Sequence, residues 1–107
     1  MDYSAVLGRA KQYQEPMVQF LRDIVAIQSL SGKEDKVIAR IRQEVEKLGA
    51  ADKIWTDGLG SLLVQVGHGP RLIAIDAHID TVDVGNAGEW KHDLRDAVLL
   101  RGQPMAE

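Results

Sequence analysis

The stretch Arg71-Leu72-Ile73-Ala74-Ile75-Asp76-Ala77-His78-Ile79-Asp80-Thr81-Val82 decides how this chain reads. Its first five residues are a near-continuous apolar run, the pattern expected of a strand covered on both faces. Its second half turns polar at alternate positions. In extended backbone, residues two apart point the same way, so Asp76, His78 and Asp80 are expected on one face. Imidazole and carboxylate suit zinc and similar divalent ions, and a neighbouring carboxylate can fix the tautomer of a ligating histidine. Ligands of open α/β sheets also sit beyond the carboxyl ends of the strands. On spacing alone, the cluster reads equally well as an exposed loop with one histidine among acids.

Upstream of that run lies a change of period. Lys53–Thr56 and Ser61–Val66 read as two strands joined by the turn Asp57-Gly58-Leu59-Gly60, with a second turn at Gly67-His68-Gly69-Pro70. Before them come helical stripes. Val6, Leu7 and Ala10 form one; Met17, Phe20, Leu21, Ile24 and Val25 form another. Pro16 lies between the two, which predicts either a kink or two helices with Pro16 in the first turn of the second. A further helix carries Val37, Ile38, Ile41, Val45 and Leu48 on one face, with Gly49 as its stop. Ser31 and Glu34 fit a capping box at its start. Helices followed by strands, one of them central, predict an α/β sandwich. Beyond Thr81 the pattern weakens: Gly85, Asn86, Gly88 and the charges around Trp90 suggest an irregular loop, and Ala97–Leu100 a short strand.

Composition removes several function classes. The chain has 107 residues, which is one small domain, and a net charge of −3 from 13 basic and 16 acidic residues. Nucleic-acid recognition relies on clustered Lys and Arg, and no such cluster is present. There is no cysteine, hence no disulfide, thiolate ligand or cysteine nucleophile. No apolar run approaches the roughly twenty residues of a membrane span. Met1-Asp2-Tyr3-Ser4 lacks the basic and apolar segments of a signal peptide, so the expected location is cytoplasmic.

The ordered motifs resemble one family. Leu63–Val84, with Gly67 and Gly69-Pro70 ahead of an apolar strand and then His78-Ile79-Asp80-Thr81-Val82, looks like the first metal-binding signature of the co-catalytic zinc peptidases and deacylases (aminoacylase, acetylornithine deacetylase, succinyl-diaminopimelate desuccinylase and carboxypeptidase-like enzymes). Leu21–Glu34 is similar to that family's opening helix and its Ser-Gly-x-Glu loop. Asp57-Gly58-Leu59-Gly60-Ser61 sits where the family has an Asp-x-x-Gly-Asn turn. The resemblance implies the N-terminal portion of a zinc-peptidase α/β sandwich, incomplete. Residues 1–93 would belong to the metallohydrolase catalytic domain, and 94–107 would form a diverged, disordered tail.

The same resemblance implies that His78 is a ligand to one of two zinc ions and that Asp80 is the catalytic acid orienting that site. The implied substrate is a small peptide or N-acyl amino acid. The family's bridging aspartate, Glu-Glu pair and final histidine have no counterpart in this sequence. Two-metal hydrolysis clamps water and carbonyl between ions about 3.5–4 Å apart, and a catalytic zinc takes three protein ligands. One weak zinc site and little hydrolysis are therefore expected of this chain alone. Asp83, Glu89, His92, Asp93, Asp96 and Glu107 follow no spacing that would make them substitute ligands. His68 is expected to be exposed and idle, Ser29 a loop residue, and Trp55 and Trp90 packing residues. The competing expectation is a non-catalytic α/β remnant or interaction module, whose open sheet edge would favour self-association.

Overall fold

The computed structural model describes residues 2–91. Among them are three helices, one two-stranded sheet and one 3₁₀ turn: α1 (Ser4–Gln12), α2 (Gln14–Val25), α3 (Asp35–Leu48), β1 (Lys53–Thr56), β2 (Leu62–Gln65) and the turn Ala87–Glu89. They fall into two compact units, one holding residues 2–26 and 85–91, the other residues 27–84. His92, Asp93, Asp96, Glu107, the expected strand Ala97–Leu100 and the expected tail 94–107 lie outside the described residues.

In the first unit the chain breaks near Pro16 into two helices. Tyr13 caps both, donating its N–H to the Ala10 carbonyl and accepting from Met17 N. Pro16 is the third residue of α2, inside the first turn, where its missing N–H leaves no intrahelical bond unmade. No residue of α1 or α2 is buried. The loop after Val84 contains the short 3₁₀ turn, held by Asn86 Oδ1 accepting from Gly88 N at 3.2 Å.

The second unit holds the candidate site. Helix α3 ends at Gly49, whose φ of +67° is the left-handed conformation that stops a helix and that only glycine adopts without strain. Val37, on its inward face, is 2% exposed. Its N-terminus corrects the expected capping box. Glu34 does turn back, but its Oε1 accepts from Gly32 N at 2.9 Å, and no side chain caps the helix. The Ser31 hydroxyl is engaged elsewhere, by a residue 49 positions downstream.

Strands β1 and β2 form an antiparallel hairpin pairing Lys53 with Gln65 and Thr56 with Leu62, within a residue of the expected boundaries. Asp57 shapes the connecting loop by accepting from Leu59 N and Ser61 N through one oxygen, both at 2.9 Å. Lys53 and Trp55 share a face, and the Lys53 ammonium lies 4.6 Å from the Trp55 ring centre. Trp55 thus packs as expected, whereas Trp90 is exposed.

The largest correction concerns the apolar run 71–75. It forms no strand among the described residues, and Leu72, Ile73 and Ile75 are 86%, 85% and 94% exposed. Its composition reports what the segment requires, cover on two faces and strand neighbours. The described residues supply a single hairpin, and its ladder does not extend to this run.

His68 is exposed, as expected, but not idle. Its Nε2 lies 3.3 Å from Asp52 Oδ1, while Asp52 Oδ2 accepts from Gly67 N, closing the base of the hairpin. The Gly67 bond, with a smaller contribution from His68, holds the Asp52 carboxyl below its ordinary 3.8. A lowered carboxyl pKa contributes stability that is present above the unfolded value and is lost as pH falls through the folded one. The Gly67 amide proton resonance is therefore expected to titrate below pH 3.8, and Asp52→Asn to abolish that titration in an NMR pH series.

Candidate metal-ligand loop

The site is built where two loops of the second unit meet. Residues 29–31 leave the α2–α3 connection and run beside 79–81. Leu30 and Thr81 form an isolated parallel bridge, with Thr81 N donating to the Ser29 carbonyl at 2.8 Å. Ser29 is 1% exposed. A buried hydroxyl needs a partner, and its Oγ donates to the Ile79 carbonyl at 3.0 Å and lies 3.3 Å from Thr81 Oγ1. Ser29 is thus more than a loop residue: it is the buried rivet between the segments.

This arrangement brings His78 and Asp80 to the same side of the chain. His78 Nδ1 lies 3.0 Å from Asp80 Oδ1 and 3.2 Å from the Asp80 carbonyl oxygen. A carboxylate oxygen and a carbonyl oxygen can only accept, so Nδ1 carries the proton and donates to both. In the neutral ring, a proton on Nδ1 puts the lone pair on Nε2, the tautomer that ligation through Nε2 needs. The imidazole is 86% exposed and Nε2 is open to an incoming ion. The other Asp80 oxygen, Oδ2, accepts from Ser31 Oγ at 2.6 Å. That hydroxyl bond is the main cause holding the Asp80 carboxyl below its ordinary 3.8, and the His78 hydrogen bond is the next.

Asp76, His78 and Asp80 line one open cavity of about 560 Å³, together with Glu34. Its opposite wall is aliphatic, from Ile38 and Ile41 of α3 and Leu62 and Val64 of β2. Asp76 lines the same cavity but makes no hydrogen bond or ion pair with His78 or Asp80. Among the described residues no three His, Asp or Glu side chains gather closely enough to hold a metal ion. Within the described residues the donor set that could hold a metal is the His78 imidazole with its supporting Asp80 carboxylate. Asp83 accepts from Val84 N within its own loop, and Glu89 belongs to the other unit. Ser31 was legible only as a helix cap; its role beside Asp80 joins positions 49 apart, which no local pattern encodes.

Among the described residues no helix is long and apolar enough to cross a membrane. No family model matches the chain, and no solved structure matches it. Curated proteins do. The chain is 50% identical over 93 residues to the uncharacterized protein YgeY of Escherichia coli K12, covering 87% of this chain and 23% of that one. It is 36% identical over 66 residues to a Pyrococcus abyssi protein named as a LysW-lysine/LysW-ornithine hydrolase, covering 61% and 19%. It is 26% identical over 77 residues to a Staphylococcus aureus protein named as a succinyl-diaminopimelate desuccinylase, covering 70% and 19%. The chain spans about a fifth to a quarter of the length of these relatives. Two of these relatives are named as hydrolytic enzymes, one a LysW-lysine/LysW-ornithine hydrolase and the other a succinyl-diaminopimelate desuccinylase.

Proposed function

We propose that this chain is an N-terminal part of the catalytic domain of a metal-dependent amide-bond hydrolase, acting in the cytoplasm on a small peptide or N-acyl amino acid. The domain portion is residues 1–93. His78 is a zinc ligand through Nε2, and Asp80 is the acid that orients it. The observation that supports this reading is the Nδ1 of His78 held between two acceptors of Asp80, which makes Nε2 the ring nitrogen left for an ion. The names of the P. abyssi and S. aureus relatives, a hydrolase and a desuccinylase, point the same way.

Zinc in such a site polarises a carbonyl and activates water. The described residues orient one imidazole; among them there is no set of three ligands for a catalytic zinc, and the resemblance supplies no general base, itself worth about 100- to 10,000-fold in rate. The 107-residue chain is therefore expected to bind zinc weakly and to hydrolyse little. The deciding experiment compares zinc content and affinity of the wild type with His78→Ala. Zinc binding is expected in the first and lost in the second. Equal metal content would remove His78 from the ligand set, and brisk amide hydrolysis by the wild type alone would overturn the incompleteness of the site.

A second reading, a non-catalytic α/β remnant that self-associates, is favoured by the bare apolar run at Leu72, Ile73 and Ile75. Neither reading assigns a nucleic acid or a membrane as partner, in keeping with the net charge of −3.

A further inference from the structure

We propose that Ser31 is a positioning residue for the metal ligand: acting through Asp80, its hydroxyl sets the tautomer and direction of the His78 imidazole. This rests on the reading of His78 as a ligand.

Three observations carry it. Asp80 divides its two carboxylate oxygens, Oδ2 to Ser31 Oγ at 2.6 Å and Oδ1 to His78 Nδ1 at 3.0 Å. A carboxylate at the surface with only one partner can rotate about its side-chain torsions; with both oxygens engaged, its plane is fixed and so is the line along which it receives the imidazole N–H. The Ser31 hydroxyl is also released from the helix. It stands three residues before Glu34 in a capping-box pattern, yet α3 has no side-chain cap bond, so removing the hydroxyl uncaps nothing. Finally, the backbone beside it is locked independently of Ser31, by the Leu30–Thr81 bridge and the Ser29 hydroxyl on the Ile79 carbonyl. Loop 29–31 therefore holds the main chain of 79–81 with one serine and aims its side chain with the other.

The test is a pair of variants of nearly equal shape, Ser31→Thr and Ser31→Val, which differ in the hydroxyl. Imidazole ¹⁵N resonances of His78 in the metal-free chain report which nitrogen carries the proton. Wild type and Ser31→Thr are expected to hold the Nδ1–H form, with Ser31→Val moving toward Nε2–H. Zinc affinity is expected to fall about tenfold in Ser31→Val, the lower end of the range for a lost outer hydrogen-bond partner, and to be retained in Ser31→Thr. Helicity by circular dichroism should be equal in all three. Unchanged tautomer and affinity in Ser31→Val would overturn the proposal, as would a loss of helicity there, which would return Ser31 to capping. If His78→Ala left zinc binding intact, the ligand reading would fail, and the metal-free tautomer would still decide the role of Ser31.

Discussion

Replacing Asp80 with alanine is expected to weaken zinc binding by about ten- to a hundredfold, the range seen when the hydrogen-bond partner of a ligating histidine is removed. The loss has two parts. An imidazole without a fixed acceptor at Nδ1 divides its population between tautomers, and only one has its lone pair on Nε2. It also turns about its side-chain torsions, an ordering cost that zinc must then meet. The effect stays short of abolition because the carbonyl oxygen of residue 80, 3.2 Å from Nδ1, survives the substitution. Asp80→Asn is expected to fall between wild type and alanine: its amide oxygen can accept from Nδ1, and its amide nitrogen can donate to the Ser31 hydroxyl, so the geometry persists without the charge. A competition titration against a chromophoric chelator measures all three. The order wild type, asparagine, alanine supports Asp80 as the orienting acid, whereas equal affinity for wild type and alanine refutes it.

How much of this was legible in the sequence depends on the range of the interactions concerned. The hairpin was readable because its signals are local: Asp57-Gly58-Leu59-Gly60 carries the turn chemistry between two short apolar segments. The stop at Gly49 and the break before Pro16 were readable for the same reason. That His78 and Asp80 stand on one side of the chain was legible in their spacing of two, and the 3.0 Å contact agrees. The errors arose where a local pattern competed with a distant partner. Ser31-x-x-Glu34 is a sound capping signature, but a carboxylate 49 residues away takes the serine hydroxyl. Apolar content likewise identified 71–75 as a segment needing cover, and composition cannot say where that cover comes from. Three exposed aliphatics are the result.

Those aliphatics make the second large prediction, the replacement of Ile73 and Ile75 together by lysine. Full burial of one such side chain is worth about 1.5–3 kcal/mol, so Leu72, Ile73 and Ile75 of two copies offer at most about 9–18 kcal/mol to a symmetric contact. Association costs about 4–15 kcal/mol in lost rigid-body freedom and side-chain ordering. The two ranges overlap, which places self-association of the 107-residue chain near the threshold: monomer when dilute, larger species as concentration rises toward the millimolar range. Ile73 and Ile75 stand two apart, on one side of the segment if it extends to pair with a second copy. Lysine at both positions removes most of the apolar gain and sets like charges against one another across the symmetric contact. Sedimentation velocity over a concentration series is expected to show the wild type associating and the double variant shifted by more than tenfold in midpoint. Since both positions precede Asp76 and are already exposed, zinc affinity at His78 should be the same in the two proteins. A wild type that stays monomeric throughout, or a double variant that associates equally, would remove self-association as the use of this run and leave the hydrolase reading as the one that accounts for the loop beyond it.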